Sequence, residues 1–377
     1  MTERVRVLLL FGGRSAEHDV SRVSAVAVAR ALDPDRYDVV PVAITKEGRW
    51  LLAGEARAQL EGGRDALPEA FRVEGTRVAE LPEPGTAGLV PLDASDVELA
   101  PTAFDVVVPL LHGPYGEDGT VQGLLELAGV PYVGAGVTGS AVAMDKVMTK
   151  RAFAAVGLPV ADWRAFREGG GVTAFVDQVE AELGYPCFVK PANLGSSVGV
   201  SKARSRDELR TAIEVALGFD EWIVAEEAIV GREIEVGVLG DDPPESSLPG
   251  EIVPGDDFYT YADKYEDDDA ELLVPAPLTE AQTHEVRVLA GRAFEACRCE
   301  AMARVDFFLE EGDGRREGRG FLVNEVNTIP GFTAISMYPR LWAASGVEFP
   351  ELLDRLIGLA LARHERRTRR AGRQREG

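Results

Sequence analysis

Four polar side chains alternate with apolar residues in two segments near the carboxyl end of the chain. They are Arg304 and Asp306 in the first segment and Glu325 and Asn327 in the second. Residues two apart lie on the same face of a β-strand, so each pair would share one face. The glycine-rich residues 311–320 are typical of a hairpin loop. If the strands pair without a bulge, the midpoint of this loop sets Asp306 opposite Glu325 and the other two residues opposite each other.

Such a face would gather carboxylate and amide oxygens beside one guanidinium group. Oxygen ligands, few of them from the protein, are what Mg²⁺ takes when phosphate oxygens and water complete its octahedron. The alternative is a solvated face on which the charges pair across the strands. The residues between the four polar ones are apolar and form an opposite face of their own, which favours the metal site.

A lysine and a loop of small residues follow another predicted strand, residues 185–191. Lys190 lies at the end of this strand, and the loop 193–199 reads Asn-Leu-Gly-Ser-Ser-Val-Gly. Backbone N–H groups of such a loop, with an ammonium group beside them, can surround phosphates. An ordinary polar loop is the alternative. The chain holds no G-x-x-x-x-G-K-S/T motif, so a P-loop is excluded.

The turn Gly134–Gly139 matches the G-x-G-x-x-G pattern of dinucleotide-binding proteins. Asp162 lies downstream at about the separation at which an acidic residue contacts the ribose. However, the strand before the turn is very short and begins at Pro131, and no second strand ends near Asp162. A nicotinamide-dependent oxidoreductase using NAD is therefore kept only as an alternative from a different class.

Two polar segments follow strands in the first part of the chain. Residues 12–18 contain Glu17, and residues 112–120 begin with His112 directly after the predicted strand 104–110. The carboxyl ends of parallel strands meet at one edge of a sheet, where ligands bind. We therefore expect Glu17 and His112 to share one rim.

The segments that position these residues alternate between strands and helices. Strand–helix–strand order with continuous apolar strands predicts a parallel α/β sheet covered on both faces. Strands are expected at residues 5–11, 37–44, 104–110, 185–191, 222–226, 233–239, 303–310 and 321–327, and helices at 20–32, 138–156, 206–217, 279–299 and 350–363. Residues 51–103 are interpreted as an insertion with poor local order. The Arg-rich residues 363–377 are interpreted as a frayed, disordered tail.

The charge balance limits the classes of partner. The chain of 377 residues carries 40 Lys and Arg against 63 Asp and Glu, a formal net charge of −23. Nucleic-acid binding and binding to anionic membranes both need a basic face, so neither is expected. Three cysteines offer no disulfide framework, and the first apolar run is too short for a signal peptide. These features predict a cytoplasmic protein.

Together these segments resemble the D-alanine–D-alanine ligases, a family of the ATP-grasp superfamily. The resemblance extends over nearly the whole chain except residues 51–103 and the Arg-rich tail. It is carried in order by Gly12–Ser21, His112–Thr120, Met144–Lys146, Lys190–Pro191 with Gly195–Gly199, Glu233, Lys264–Tyr265, Arg304–Asp306 and Asn324–Gly331. The fold it implies is an N-terminal Rossmann-like parallel α/β domain followed by an ATP-grasp fold of two α+β subdomains. The implied units are residues 1–134, 135–226 and 227–362, with the Arg-rich tail at 363–377.

The resemblance implies a ligase that uses ATP and two Mg²⁺ ions, with Mn²⁺ as a substitute. ATP would phosphorylate the carboxylate of one D-alanine, and the amine of a second would attack the acyl phosphate. The implied nucleotide contacts are Lys146 and Lys190 to the phosphates, Glu233 to the ribose, and Glu226 with Ile229 to the adenine. The implied metal ligands are Asp306, Glu325 and Asn327, in agreement with the hairpin interpretation.

The resemblance also implies the groups that bind the amino acids. Glu17 would hold the ammonium group of the first D-alanine and be linked by hydrogen bonds to Ser196 and Tyr265. Arg304 and the N–H of Gly331 would form the oxyanion site. His112 would line the pocket of the first substrate, and Ser336 would bind the carboxylate of the second. The loop 256–271 would close over the site and bring Lys264 to the transferring phosphate.

The resemblance leaves three alternatives within the same fold, and Tyr265 argues against the first of them because this tyrosine is replaced in relatives that join D-alanine to D-lactate. Those alternatives are a D-alanine–D-lactate ligase, a D-alanine–D-serine ligase and a dipeptide ligase for L-amino acids. Members of the family are commonly homodimers, so a homodimer is expected here.

Lysine is scarce in the chain, with only six among the basic residues. Three of them, Lys146, Lys190 and Lys264, fall on segments implied to address phosphate, where a compact ammonium group acts as a point charge. The other three, Lys46, Lys150 and Lys202, have no implied role and are expected at the surface.

Overall fold

Three sheets, each packed against helices, make up the part of the chain that the structure describes. The computed structural model describes residues 4–63, 67–80, 88–92, 102–253, 271–312, 317–333 and 335–375. No helix within these ranges is both long and apolar enough to cross a membrane. The three cysteines are buried and free, as expected.

The first sheet is built around strand β1 (Val5–Gly12), which pairs in parallel with β2 (Tyr37–Ile44) on one side and β7 (Val106–Pro109) on the other. Leu9 of β1 joins an apolar core with helix α1 (His18–Ala31), and Leu10 joins a second core with helix α3 (Thr120–Ala128), because successive side chains point to opposite faces. The predicted parallel sheet covered on both faces is thus confirmed. Its elements are β1 (Val5–Gly12), α1 (His18–Ala31), β2 (Tyr37–Ile44), β3 (Trp50–Leu52), α2 (Gly54–Glu61), β4 (Thr76–Glu80), β5 (Gly88–Pro91), β6 (Thr102–Ala103), β7 (Val106–Pro109) and α3 (Thr120–Ala128).

The interpretation of residues 51–103 as a poorly ordered insertion is wrong for the part that the structure describes. Strands β3 to β6 extend the first sheet in antiparallel order beyond β2. Leu51, Phe71 and Leu89 are buried in this region. The strands are short and separated by polar residues, which is why the sequence shows little periodicity.

The remaining elements form the second and third sheets with their helices. They are α4 (Val137–Met144), α5 (Lys146–Ala155), β8 (Trp163–Arg167), α6 (Val172–Glu182), β9 (Cys187–Pro191), β10 (Ser201–Ala203), α7 (Arg206–Leu217), β11 (Trp222–Glu227), β12 (Arg232–Gly240), β13 (Glu245–Ser246), β14 (Gly250–Val253), β15 (Glu271–Leu273), α8 (Glu280–Ala296), β16 (Ala301–Glu310), β17 (Gly320–Asn327), α9 (Met337–Ala344) and α10 (Phe349–Arg375). The second sheet is antiparallel, in the order β10-β9-β11-β8, and α6 and α7 pack against it. The third sheet has the order β15-β14-β12-β16-β17, and α8 covers its apolar face.

The single helix expected over residues 138–156 is two helices, α4 and α5. Asp145 separates them in an extended conformation, and its side chain accepts a hydrogen bond of 2.9 Å from the backbone N–H of Met148. An aspartate that caps a helix in this way stabilises a new helix start and interrupts the preceding one. The break sets Lys146 at the first turn of α5.

The last helix is longer than expected, and the interpretation of residues 363–377 as a frayed tail is wrong at its start. The helix α10 runs on to Arg375. The buried Arg363 guanidinium donates to the backbone oxygens of Tyr132 and Gly134 at 2.6 Å each. Arg367 forms ion pairs with Glu126 and, at 2.7 Å, with Glu300. The partners of these arginines are carbonyl and carboxylate groups on other elements. Because those elements are distant in the sequence, the residues around the arginines do not indicate that the helix is ordered here.

Candidate active site

The hairpin β16–β17 carries the polar face that its spacing predicted. Asp306 lies opposite Glu325 and Arg304 opposite Asn327, as expected. A register shift next to Asp306 moves the remainder of the hairpin by one residue, so the assumption of no bulge was wrong although the pairing at the site was right. The pairs on the loop side of the bulge, such as Leu309 with Phe321, are offset by one residue from the predicted register, and the extra residue at the bulge restores that register at the site.

Hydrogen bonds hold this face together. The Arg304 guanidinium donates two bonds of 2.8 Å to the two carboxylate oxygens of Asp306. Asn327 Nδ2 donates to Asp306 Oδ2 at 2.8 Å. Glu235, on the neighbouring strand β12, lies opposite Asp306 and 3.1 Å from Arg304 Nε. Burial alone would lower the pKa of Arg304, but the carboxylates of Asp306 and Glu235 raise it well above its usual value.

Glu235 was not predicted from the sequence, although a signal existed. It lies two residues after Glu233 in the same strand, so both side chains face the same side of the sheet. An acidic pair at this spacing could have been added to the predicted face.

The acidic face suits a metal that takes few ligands from protein. No group of three His, Cys, Asp or Glu side chains within the described ranges could enclose an ion by itself. Asp306, Glu325 and Asn327 nevertheless offer carboxylate and amide oxygens on adjoining strands, and a cation already contacts Asp306 in the form of Arg304. All-oxygen donors of this kind fit Mg²⁺ shared with phosphate and water.

A cleft of about 500 Å³ lies between the second and third sheets. It brings together eight of the predicted residues, namely Lys146, Lys190, Ser196, Glu226, Ile229, Glu233, Asp306 and Glu325. Glu235, Phe188 and Phe308 also line it. The sequence expectation that a lysine, a glycine–serine loop and an acidic hairpin face one site is therefore reflected in the geometry.

Lysines and one glutamate form the cationic wall of the cleft. Glu226 is buried between two of them, with Oε2 3.1 Å from Lys190 Nζ and Oε1 3.3 Å from Lys150 Nζ. Burial alone would raise the pKa of Glu226, but the two ammonium groups outweigh it and hold the pKa at about 2. Lys146 Nζ donates to the backbone oxygen of Leu194 at 2.5 Å, and burial lowers its pKa.

Lys150 corrects one expectation from the sequence. It was expected at the surface, yet its side chain is only 2% exposed. Lys150 follows Lys146 by one helical turn in α5, so both reach the same side of the helix. Spacing thus offered a signal, but the burial of Lys150 depends on the docking of α5 against the strand that carries Glu226.

Glu17 lies at the rim next to both glycine loops. A Cβ atom added to Gly113 would lie 3.4 Å from Glu17 Oε2, and one added to Gly195 would lie 3.8 Å from it. The adjoining Ser196 has a φ of 50°, a conformation that serine seldom adopts and that recurs at functional loops. Tyr265, the other predicted partner of Glu17, and Lys264, predicted to approach the transferring phosphate, lie outside the described residues.

His112 and the loop 327–336 form the other part of this rim. His112 Nδ1 lies 2.9 Å from the backbone oxygen of Ile329. Gly331 follows, where an added Cβ would meet Ser336 Oγ at 2.9 Å, so this close approach requires glycine. Ser336 precedes α9, and its hydroxyl accepts a hydrogen bond of 3.1 Å from the Thr333 N–H.

Glu117 is a buried acid of the rim that was not assigned a role from the sequence. Its carboxylate accepts hydrogen bonds from the backbone N–H groups of Gly113 at 2.6 Å and Ile329 at 2.9 Å. Burial, followed by the charge of Glu17, raises the pKa of Glu117 to about 8, and the two N–H donors oppose that rise. Glu117 therefore joins the two loops that carry His112 and Gly331.

The turn Gly134–Gly139 is filled by the protein itself. A Cβ added to Gly136 would lie 2.8 Å from Glu300 Oε2 and 3.1 Å from Arg367 Nη2. One added to Gly139 would lie 2.7 Å from the backbone oxygen of Arg298. The glycines of this turn thus permit close packing of elements and leave no room for a pyrophosphate.

Family models match both halves of the chain. The model described as the D-ala D-ala ligase N-terminus matches residues 6–135, and the one described as the D-ala D-ala ligase C-terminus matches residues 152–358. The chain belongs to the D-alanine–D-alanine ligase family. The NAD-dependent oxidoreductase is accordingly not favoured.

Relatives and solved structures agree with this family. A D-alanine–D-alanine ligase from Mycolicibacterium paratuberculosis is 50% identical over 96% of this chain and 98% of its own length. One from Geobacillus thermodenitrificans is 48% identical over 96% of this chain and 97% of its own length. The structure of the Coxiella burnetii D-alanine–D-alanine ligase is similar with a TM-score of 0.82 at 35% identity, covering 98% of this chain and 97% of that one. The predicted ATP-grasp fold is thereby confirmed.

A structure with a different printed specificity is also similar. The D-Ala:D-Ser ligase of Enterococcus faecalis has a TM-score of 0.81 at 32% identity, covering 95% of this chain and 100% of that one. Fold alone therefore does not distinguish between acceptors within this family.

Proposed function

We propose that this protein joins two molecules of D-alanine to D-alanyl-D-alanine at the expense of ATP, releasing ADP, for the synthesis of peptidoglycan precursors. The observation that carries the proposal is the single cleft that unites lysines on one wall with the acidic hairpin face on the other. A phosphoryl group transferred there would meet lysine ammonium groups on one side and, on the other, the Mg²⁺ ions that the acidic face would hold. Such charge neutralisation is most of what a phosphoryl transfer needs.

The nucleotide would lie along the lysine wall. Lys146 and Lys190 are proposed to contact its phosphates, Glu233 its ribose, and Glu226 with Ile229 its adenine. All five line the same cleft, which supports this assignment. Lys190 is well suited to bind phosphate because it lies at the end of β9 directly before the glycine–serine loop.

The metal ions would lie on the hairpin face. Asp306, Glu325 and Asn327 are proposed to hold two Mg²⁺, with Mn²⁺ as a substitute. When bound, these ions neutralise charge on the phosphoryl group. Arg304, held by Asp306 and Glu235, is proposed to stabilise an oxyanion together with the N–H of Gly331.

The amino acids would bind at the rim. Glu17, linked to Ser196 and Tyr265, is proposed to hold the first ammonium group, and His112 to line that pocket. Ser336 would bind the carboxylate of the second substrate. The loop 256–271, with Lys264, would close over the site and exclude water, because acyl phosphates hydrolyse readily.

The wider setting is also a proposal. We propose that the protein is a homodimer in the cytoplasm. We also propose that each chain consists of three units, at residues 1–134, 135–226 and 227–362. The resemblance to a D-Ala:D-Ser ligase structure makes D-serine the second acceptor to test, beside D-lactate. Tyr265 supports the D-alanine dipeptide as the main product.

A phosphate-release assay tests the proposal. Wild-type protein with ATP, Mg²⁺ and D-alanine should release phosphate, and hydroxylamine should trap the acyl phosphate. Product analysis with D-alanine, D-serine and D-lactate in competition should yield mainly D-alanyl-D-alanine at neutral pH. An absence of D-alanine-dependent phosphate release, with and without hydroxylamine, would contradict the proposed function.

Replacement of a proposed metal ligand should have a large effect. Asp306→Asn removes a carboxylate from the hairpin face and is expected to lower kcat by about 10³-fold, as losses of transition-state charge stabilisation do. Asp177→Asn is the matched control, since that exposed aspartate pairs with Arg206 on the surface of the second sheet's helices. Activity of Asp306→Asn within threefold of the control would contradict the assignment.

A further inference from the structure

Lys150 has no role in the proposed reaction, yet its ammonium group lies buried next to the cleft. Its Nζ lies 3.3 Å from Glu226 Oε1, and the Glu226 side chain is only 4% exposed. Lys190 occupies the other oxygen of the same carboxylate, with Nζ 3.1 Å from Oε2. One carboxylate thus lies between two ammonium groups, and this group of three is called the Glu226 cluster below.

The two lysines of the Glu226 cluster differ in their access to the cleft. Lys190 and Glu226 both line it, whereas Lys150 does not. Lys150 Nζ has no further hydrogen-bond acceptor within the described ranges. A ligand in the cleft can therefore contact Lys190, while Lys150 lies behind Glu226.

Stability alone does not explain why two lysines serve one glutamate. An unpaired buried charge is costly, and a buried ion pair is often no more stable than apolar residues of similar size. A second ammonium group at the same carboxylate therefore adds a burial cost that a single lysine would avoid.

The second lysine is explained if Lys190 leaves Glu226 when phosphate binds. Lys190 has one compact ammonium group, which a phosphate oxygen and the Glu226 carboxylate would compete for. Without Lys150, the departure of Lys190 would leave a buried carboxylate with no cation. With Lys150 in place, Glu226 keeps a counter-ion throughout.

We propose that Lys150 is a positioning residue: a permanent counter-ion of Glu226 that frees Lys190 to bind the phosphates of a nucleoside triphosphate. This inference rests on the proposed nucleotide site and adds a residue that never touches the ligand.

The test is a double-mutant cycle on the binding of ADP, measured by calorimetry with the full chain in the presence of Mg²⁺. Lys150→Met should weaken ADP binding by about 10- to 100-fold, because Lys190 is then held by Glu226 and a charged hydrogen bond to phosphate is weakened. In the Glu226→Gln background the carboxylate is absent. In that background, Lys150→Met should alter ADP affinity by less than about threefold. The two substitutions would then be non-additive, as expected for residues that act through direct contact.

Controls separate this role from a general effect on folding. Lys46→Met makes the same replacement at an exposed lysine and should leave ADP binding unchanged. The KM for D-alanine should stay near wild type in Lys150→Met while the KM for ATP rises. If Lys150→Met does not fold, the comparison of Lys150→Met/Glu226→Gln with Glu226→Gln alone still tests the prediction.

Each outcome has one meaning. Equal losses from Lys150→Met in both backgrounds would contradict the counter-ion role, as would a folded Lys150→Met variant with wild-type ADP affinity. A tenfold loss in the double variant relative to Glu226→Gln would contradict it too. Failure of the wild-type protein to bind ADP would instead contradict the proposed function.

Discussion

Two buried glutamates, Glu117 at the rim and Glu226 in the cleft, have opposite electrostatic surroundings. Glu226 has an ammonium group at each carboxylate oxygen. Glu117 accepts hydrogen bonds from the backbone N–H groups of Gly113 and Ile329 and lies near the charge of Glu17. Burial raises the pKa of both, but only Glu226 has cations that reverse the rise. Their pKa values are about 8 for Glu117 and about 2 for Glu226.

The difference shows that partners, and not burial, decide what a buried acid does in this protein. At the Glu226 cluster the charges are fixed and leave a net cation, which suits a polyanionic ligand. At the rim, Glu117 connects two loops through backbone groups, and burial favours its protonated form. The nucleotide end of the site is thus organised by charge, and the substrate end by the position of its loops.

The largest expected effect comes from removing the acid between the lysines. Glu226→Ala leaves the ammonium groups of Lys150 and Lys190 buried without a counter-ion, and we expect it to lower the free energy of unfolding by about 3–5 kcal/mol. Urea titration without nucleotide measures this. Glu221→Ala, at an exposed glutamate that pairs with Arg167, should cost less than about 1 kcal/mol. Similar losses in the two variants would mean that Glu226 does not hold the cluster together.

The stability that Glu117 contributes at the rim should fall as the pH rises, whereas the stability that Glu226 contributes in the cleft should fall as the pH drops. Because the folded-state pKa of Glu117 is about 8, above its ordinary value of 4.5, its contribution to stability is complete below pH 4.5 and is lost as the pH rises through 8. The stability of wild type relative to Glu117→Gln should therefore fall by a few kcal/mol between pH 5 and pH 8, at up to about 1.4 kcal/mol for each pH unit.

Urea titrations of wild type and Glu117→Gln across this range measure that difference. A difference that rises with pH would mean that Glu117 is ionised more easily in the folded protein than in the unfolded chain. Glu226→Gln offers the comparison, because a folded-state pKa of about 2 gives stability that is present above pH 4.5 and lost as the pH falls toward 2.

Local rules were enough to predict the acidic face from the sequence. Asp306 and Glu325 are brought together by a hairpin, and alternation with loop length predicted their pairing although the bulge beside them left no signal in the sequence. The cap at Asp145, which divides the predicted helix, was also readable as a local signal. The parallel part of the first sheet, formed by β1, β2 and β7, was predicted for the same reason, since a continuous apolar strand followed by a helix indicates parallel pairing.

Residues whose surroundings come from distant parts of the chain could not be assigned in this way. Lys150 and Arg363 both look like ordinary charged residues of a helix, and the structure buries both. Their partners, Glu226 for the first and the backbone of Tyr132 for the second, lie far away in the sequence and become neighbours only when the chain folds. The implied roles of Lys264 and Tyr265 stay predictions, because these residues lie outside the described ranges.

The smallest expected effect concerns catalysis through the rim. Glu117→Gln keeps the size of the side chain but has one acceptor oxygen for two N–H donors, so the loop from Ile329 to Gly331 should lose one anchor. We expect kcat to fall by about tenfold, the equivalent of one hydrogen bond, while the KM for ATP stays within about twofold because the cleft is untouched. Glu61→Gln, at an exposed glutamate of α2, is the matched control. A rise in the KM for ATP at constant kcat would show that Glu117 acts on the nucleotide end of the site. The distinction between a cleft organised by charge and a rim organised by the position of its loops would then be wrong.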